Sequence, residues 1–162
     1  LVNCRVVHLV DPHFGPENAR HRKVLEALMC VLADNQVVPE VVRVHCLGKS
    51  TLQFFEMEAM KMAARLPSGV TVDFVRWKQK EGGDLLHNRY VLTDLGGVSL
   101  GVGLDAGDMG ETDDIHLLTR DQYALRWSQY VGDGAAFVTV DTPKTVVGSM
   151  VRRIDRSGRR QA

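Results

Sequence analysis

Short runs rich in β-branched residues alternate with segments of helical periodicity, and this alternation limits the fold more than any other feature of the sequence. The predicted strands span 4–10, 37–47, 70–77, 85–93, 98–104 and 135–141. Three helices are predicted. The first spans about 17–33, and the second begins at its cap Ser50 and ends at Pro67. The third spans about 119–131 and begins with a Thr119–Gln122 capping box. The order β-α-β-α-β-β-β-α-β predicts an α/β domain with helices packed on a mixed sheet.

The chain is long enough for one domain with its own hydrophobic core. It has 162 residues, of which 44% are hydrophobic and 25% are charged, as is typical of a globular domain. We expect a single domain over 1–150 and a basic tail over 151–162, which contains five arginines. This tail is either a solvated end of the chain or an arm that binds phosphate. No run approaches 18 apolar residues, so the sequence predicts no transmembrane helix.

The charge balance and the cysteines indicate the class of protein and its compartment. Lys and Arg total 20, and Asp and Glu total 20, so the formal net charge is zero. This balance argues against a protein that binds nucleic acid through a strong overall field, but it leaves room for a local basic cleft. The three cysteines form no Cys-x-x-Cys pair, and they predict buried thiols in a reducing, cytoplasmic setting. Because the chain begins with Leu1 rather than Met, we expect it to be part of a larger protein with further domains.

The segment 86–94, Leu-His-Asn-Arg-Tyr-Val-Leu-Thr-Asp, holds the most informative set of chemically active residues. On a strand, His87 and Arg89 share one face because side chains alternate, and Asp94 falls at the end of the strand. We therefore expect an imidazole, a cation and a carboxylate to converge at one rim of the sheet. The alternative interpretation is an ion pair on the surface that contributes little.

A second candidate position follows the first predicted strand. Asp11 and His13 lie where ligands collect in α/β sheets, beyond the carboxyl end of a strand. Asp11 precedes Pro12, however, and an Asp before a proline is also a common turn residue.

The spacing His87-x-Arg89-x-x-x-x-Asp94 resembles the His-x-Lys-x-x-x-x-Asp signature of the phospholipase D superfamily, with arginine in place of lysine. The Gly-Ser-x-Asn of that superfamily is replaced here by 101–104, Gly-Val-Gly-Leu. Residues 84–131 also resemble the phospholipase D-like domain at the C-terminus of MIT-domain proteins. That narrower family has Gly-Arg-Gly-Leu-Asp where this chain has 101–105, Gly-Val-Gly-Leu-Asp. Val102 therefore stands in place of the arginine of that family.

The resemblance implies a phospholipase D-like mixed sheet and metal-independent cleavage of a phosphodiester through a phosphohistidine, with no cofactor. His87 would be the nucleophile, Arg89 would stabilise the phosphate oxygens, and Asp94 would orient a histidine. The residues expected to bind substrate are Ser99, Gly101, Gly103 and Asp11. A second histidine must protonate the leaving group, and we expect a homodimer to supply it as a second His87.

Two functions follow from this resemblance. The first is a nuclease acting on nucleic acid or another phosphodiester, in keeping with bacterial relatives that occur in larger systems, some of them linked to defence. The alternative is an inactive module that binds acidic membrane lipid, a phosphate-bearing ligand or a protein partner, as the eukaryotic members do. Val102 favours the module, whereas the intact His87, Arg89 and Asp94 favour the enzyme.

Other functional interpretations have weak support. The six histidines show no His-x-x-x-His spacing, so a metal site is not predicted. The acidic stretch 105–114 lacks the order of a calcium-binding loop, and we interpret it as a mobile, solvated surface loop. The aromatic residues Tyr123, Trp127 and Tyr130 recur at helical spacing and predict a core stripe rather than a platform for stacking bases.

Overall fold

The residues whose structure is described fold around a mixed eight-stranded sheet. The computed structural model describes residues 3–34, 39–131 and 136–151. The strands are β1 (Val6–Val10), β2 (Val41–Leu47), β3 (Thr71–Gln79), β4 (Tyr90–Thr93), β5 (Gly96–Leu100), β6 (Ile115–Leu117), β7 (Phe137–Thr139) and β8 (Lys144–Val147). Their order is β6-β5-β4-β1-β2-β3-β7, and β8 also pairs with β3.

In the described part of the chain, three α-helices flank the sheet, and each begins at a polar residue that caps its first turn. They are α1 (Ala19–Ala33), α2 (Leu52–Lys61), which a short 3-10 turn (Met62–Ala64) extends, and α3 (Arg120–Tyr130). The predicted Thr119–Gln122 capping box of α3 is confirmed, with both reciprocal hydrogen bonds present. The cap of α2 is Thr51 rather than the predicted Ser50, because the Thr51 hydroxyl accepts from the Phe54 amide.

The strand directions bring the ends of several strands together at one edge of the sheet. Strands β1 and β2 are parallel, and so are β2 and β3, whereas β4 runs antiparallel to β1. Val10 at the end of β1 pairs with Tyr90 at the start of β4. The residues that follow β1 and β2 therefore lie beside those that precede β4, at what we call the carboxyl edge.

Two hydrophobic cores lie on opposite faces of the sheet, which confirms the α/β class. One core joins the sheet to α1 and α2, and it includes Leu9, Leu25 and Phe55. The other joins the sheet to α3, and it includes Leu92 and Tyr130. The alternation of side chains along each strand supplies both cores.

The predicted strands 85–93 and 98–104 are both shorter than the sequence indicates. Residues 83–89 form a loop, so the prediction that His87 and Arg89 lie on a strand is wrong. Strand β4 begins at Tyr90 because its ladder partner β1 ends at Val10, two residues before a proline that has no amide hydrogen. Strand β5 ends at Leu100, close to where its partner β4 begins, and the following residues form a loop.

The remaining differences concern short or peripheral elements. Strands β6 and β8 were not predicted, and β6 has three exposed residues that carry no pattern of burial. Within the predicted strand 135–141, β7 covers only Phe137–Thr139, and residue 135 lies outside the described residues. Residues 152–162 of the predicted basic tail also lie outside them.

Two further expectations can be compared with the structure. The three cysteines, Cys4, Cys30 and Cys46, are buried, as predicted. Among the residues described, no helix is both long enough and apolar enough to cross a bilayer.

Candidate anion-binding site at the carboxyl edge

Asp11 organises the carboxyl edge from a buried position directly after β1. Its side chain is only 1% exposed. Oδ1 accepts a hydrogen bond from the His13 amide at 2.8 Å, and Oδ2 accepts one from the Leu104 amide at 2.8 Å. Both oxygens are thus engaged by backbone amides, and the binding of substrate by Asp11 stays a prediction. Asp11 is a positioning residue that joins the end of β1 to the loop after β5.

Arg89 lies against this buried carboxylate. Its Nε is 3.8 Å from Asp11 Oδ1, and its Nη1 donates to the Gly101 carbonyl at 3.1 Å. The Nε atom is buried and has no hydrogen-bond partner among the described residues, while the side chain as a whole is 25% exposed. The guanidinium is therefore held from its inner side and remains accessible from solvent.

The loop 101–105, which we call the rim loop, is tied to its surroundings at several points. Besides the Leu104 contact, the Val102 amide donates to Asp113 Oδ1 at 3.0 Å. Asp105 forms an ion pair with Arg20 of α1 at 2.5 Å, and this hydrogen-bonded cation lowers the pKa of the Asp105 carboxyl. Asp105 is therefore a structural anchor rather than the solvated side chain that the sequence predicts.

Gly101 and Gly103 take part in the site through their backbones. Gly101 contributes the carbonyl that Arg89 binds. Gly103 has a φ of +96°, and a β-carbon at this position would overlap the Asp11 carboxylate and lie 2.5 Å from Arg89 Cδ. Glycine is needed here both for its backbone conformation and for the close approach of Arg89.

His13 and Lys49 meet where β1 and β2 end. The Pro12 carbonyl accepts a hydrogen bond from the Leu47 amide at 3.3 Å, which continues the contact between the two chains beyond β1. Lys49 Nζ donates to His13 Nδ1 at 3.1 Å, and both side chains are exposed. Since an ammonium can only donate, Nδ1 of His13 acts as the acceptor.

His87 completes a group of cationic or protonatable side chains at this edge. It is exposed and precedes Arg89 by two residues. Partial desolvation lowers the pKa of His13, and the positive charges of Lys49, Arg89 and His87 lower it further, against the opposing effect of Asp11. These electrostatic interactions connect four side chains that we call the cationic rim: His13, Lys49, His87 and Arg89.

Asp94 is not part of this rim, so the expected convergence of His87, Arg89 and Asp94 is wrong. Asp94 follows β4, and its Oδ1 accepts from the amides of Arg5 at 2.9 Å and Val6 at 3.2 Å. These bonds, that of Val6 foremost, lower the pKa of the Asp94 carboxyl. Asp94 thus lies at the amino end of β1, and the length of β1 separates it from the cationic rim.

Ser99 lies on β5, beside the start of β4. It pairs across the sheet with Tyr90, and cross-strand partners share a face. Tyr90 belongs to the core beneath α3, whereas the neighbouring Val91 packs against the core beneath α1 and α2. Ser99 therefore lies on the face of the sheet that α3 covers, and its binding of substrate stays a prediction.

The aromatic residues of α3 are structural, as the sequence predicts. Trp127 packs edge-on against His8 with ring centroids 5.2 Å apart, and Tyr130 is buried. The Tyr123 hydroxyl donates to the Thr93 carbonyl at 2.6 Å. None of the three is arranged as an exposed stacking surface.

An apolar cavity of about 480 Å³ lies between α1 and strands β4–β6 and touches the rim loop at Gly103 and Leu104. Its lining is almost entirely apolar, with residues such as Leu28, Leu100 and Leu117. Such a lining offers few donors to a phosphate, so the polar chemistry belongs to the cationic rim beside it.

Lys49 was not among the site residues that the sequence predicts. The available signal was its place, two residues after the predicted strand 37–47, where side chains of parallel strands reach the same edge. The contact between Lys49 and His13 depends on the register of β1 and β2, which no local pattern reveals.

Comparisons with protein-family models, with curated proteins and with solved structures found no match to this chain. Within the described ranges, no group of three His, Cys, Asp or Glu side chains is arranged to hold a metal ion.

Proposed function

We propose that the cationic rim binds the phosphate of a phosphodiester, with nucleic acid as the substrate class, and that the protein cleaves it without a metal ion. The observation that carries this proposal is the Arg89 guanidinium, which Asp11 and the Gly101 carbonyl hold in place among three further side chains that can carry positive charge. A planar guanidinium fixed in this way suits the non-bridging oxygens of a phosphate.

His87 is the proposed nucleophile. One ring nitrogen attacks phosphorus while the bond to the leaving oxygen breaks, which gives a phosphohistidine. Arg89 neutralises the charge that develops on the non-bridging oxygens and keeps its own proton throughout. Water then attacks the phosphohistidine, the P–N bond breaks, and His87 is regenerated.

The mixed α/β sheet is compatible with the phospholipase D-like fold that the sequence resemblance implies. The location of the rim supports the proposal further, because ligands of α/β sheets bind beyond the carboxyl ends of the strands. Asp94 has no part in the proposed reaction. The resemblance gives Asp94 the role of orienting a catalytic histidine. Here Asp11 is the supporting carboxylate instead, and it orients Arg89 rather than a histidine.

The test is cleavage of single- and double-stranded DNA, of RNA and of bis(p-nitrophenyl) phosphate in the presence of EDTA. His87→Ala should lower the rate by at least about a thousandfold, as expected when a nucleophile is removed. Two matched variants serve as controls: His116→Ala, which removes an exposed histidine of β6, and Asp94→Ala, and both should retain cleavage. Cleavage that requires added metal, or that survives in His87→Ala, would contradict the proposal.

Val102 supports a second candidate function, an inactive module that binds a phosphate-bearing ligand. This valine is 40% exposed in the rim loop, where the narrower family of the resemblance has an arginine. One cation fewer weakens the stabilisation of a transition state more than it weakens binding of a ground-state phosphate. The module is the conclusion to adopt if wild type binds an oligonucleotide, Arg89→Ala does not, and neither cleaves it.

A further inference from the structure

We propose that His13 is the proton donor to the leaving group, with Lys49 as its proton source, so that one chain holds both histidines of the reaction. This inference rests on the proposed function and deepens it. It replaces the expected second His87 of a dimer partner with a residue of the same chain.

The first support is position. The His13 amide and the Arg89 Nε both approach one oxygen, Oδ1 of Asp11, at 2.8 Å and 3.8 Å. His87 lies two residues before Arg89, in the same loop. A phosphate bound by Arg89 therefore lies between the loop that holds His87 and the turn that holds His13.

The second support is the tautomer and the protonation state of His13. Lys49 Nζ donates to Nδ1 at 3.1 Å, so the neutral ring carries its hydrogen on Nε2. Partial desolvation, followed by the positive charges nearby, lowers the pKa of His13, which favours the neutral ring at neutral pH. The side chain is exposed, so Nε2–H is accessible to a bound substrate.

The proton transfers balance without any further reactant. As the P–O bond breaks, Nε2–H moves to the leaving oxygen, and a proton of the Lys49 ammonium moves to Nδ1. In the second step, Nε2 takes a proton from the attacking water while Nδ1 returns its proton to Lys49. Both residues then have their starting protonation states.

The test exploits the basicity of the leaving group. An alkoxide leaving from an oligonucleotide needs a proton, whereas p-nitrophenolate leaves without one. His13→Gln should slow oligonucleotide cleavage by about 10²–10⁴-fold, the usual contribution of a general acid, and slow bis(p-nitrophenyl) phosphate cleavage less than about tenfold. Lys49→Met should show the same selective loss to a smaller extent, and His116→Gln should show no loss.

The outcomes separate the two proposals. If wild type cleaves and His87→Ala does not, but His13→Gln cleaves both substrates at wild-type rates, only the role of His13 is overturned. An equal loss on both substrates also overturns it, because that result indicates a role in binding or folding. If wild type cleaves neither substrate, the proposed function fails, and the role of His13 fails with it.

Discussion

Asp11 and Asp94 lie at opposite ends of the antiparallel pair β1 and β4, and their surroundings give them different roles. Asp11 is buried, and its carboxylate engages two amides while facing Arg89. Asp94 is exposed and binds the two amides at the start of β1. The same residue type therefore supports the candidate site in one case and the end of a strand in the other.

Gly103 provides a test at the scale of a single residue. Gly103→Ala introduces a β-carbon against Asp11 and Arg89 at a φ of +96°. Displacement of Arg89 should lower kcat/KM for bis(p-nitrophenyl) phosphate by about a hundredfold, the effect expected of a small misplacement in a catalytic group. Urea unfolding should also show the destabilisation of about 1–2 kcal/mol that a left-handed backbone imposes on alanine.

Gly110→Ala is the matched control for this variant. Gly110 has a similar φ of +90°, but a β-carbon there meets no atom within 4 Å. Gly110→Ala should be destabilised by a comparable amount because of backbone strain, and it should keep its activity. Equal activity in the two variants would show that the approach of Gly103 to Arg89 does not matter for function.

At the scale of elements, the sequence predicts the outline of the fold because burial leaves a periodic pattern. The parallel strands β1, β2 and β3 and helices α1 and α3 follow this pattern and were found near their predicted positions. The loop before β4 was predicted as strand because Leu85 and Leu86 are apolar. Leu86 is indeed buried, but it packs into the core beneath α3 without a ladder partner.

The candidate site was only partly predictable because a local motif does not reveal the direction or the register of the strands. His87, Arg89 and the glycines of the rim loop were identified from a local motif, and they lie at the carboxyl edge. The positions of Asp94 and Lys49 depend on strand direction and register. A motif gives the spacing of residues along the chain, whereas the antiparallel pairing of β4 with β1 determines which end of the sheet each residue occupies.

Strands β1 and β2 also hold a buried histidine pair that makes stability depend on pH. His8 Nδ1 and His45 Nε2 are 2.7 Å apart, and Trp77 Nε1 donates to His45 Nδ1 at 3.0 Å. The neutral His45 therefore carries its hydrogen on Nε2 and donates it to His8. Burial lowers the pKa of His8 to about 4, with a smaller effect from Arg43, and burial lowers that of His45 well below its ordinary value.

Because the folded-state pKa values lie below those of the unfolded chain, the unfolded state binds more protons at acidic pH. Stability should be fully present above about pH 6.5 and should fall with decreasing pH, by up to about 1.4 kcal/mol per pH unit for each histidine. Urea unfolding between about pH 7.5 and pH 5 measures this slope. His8→Leu should flatten the slope, whereas the exposed-site control His116→Gln should preserve it, and an unchanged slope in His8→Leu would refute this assignment.

For the whole molecule, a formal net charge of zero is compatible with a phosphate site because the positive groups are concentrated locally. Ion pairs such as Arg20–Asp105, Arg65–Glu26 and Arg76–Asp141 occupy other arginines in structural contacts. The cationic rim instead carries side chains that reach solvent at one edge of the sheet. Recognition of an anion therefore depends on where charges are placed and not on their sum.

The configuration at phosphorus distinguishes a covalent histidine intermediate at the cationic rim from direct attack by water. Wild-type protein would cleave a chiral phosphorothioate diester in isotopically labelled water with EDTA present. Attack by His87 followed by attack of water gives two inversions, so we expect net retention of configuration. Net inversion would mean that water attacks phosphorus directly, and it would refute the phosphohistidine.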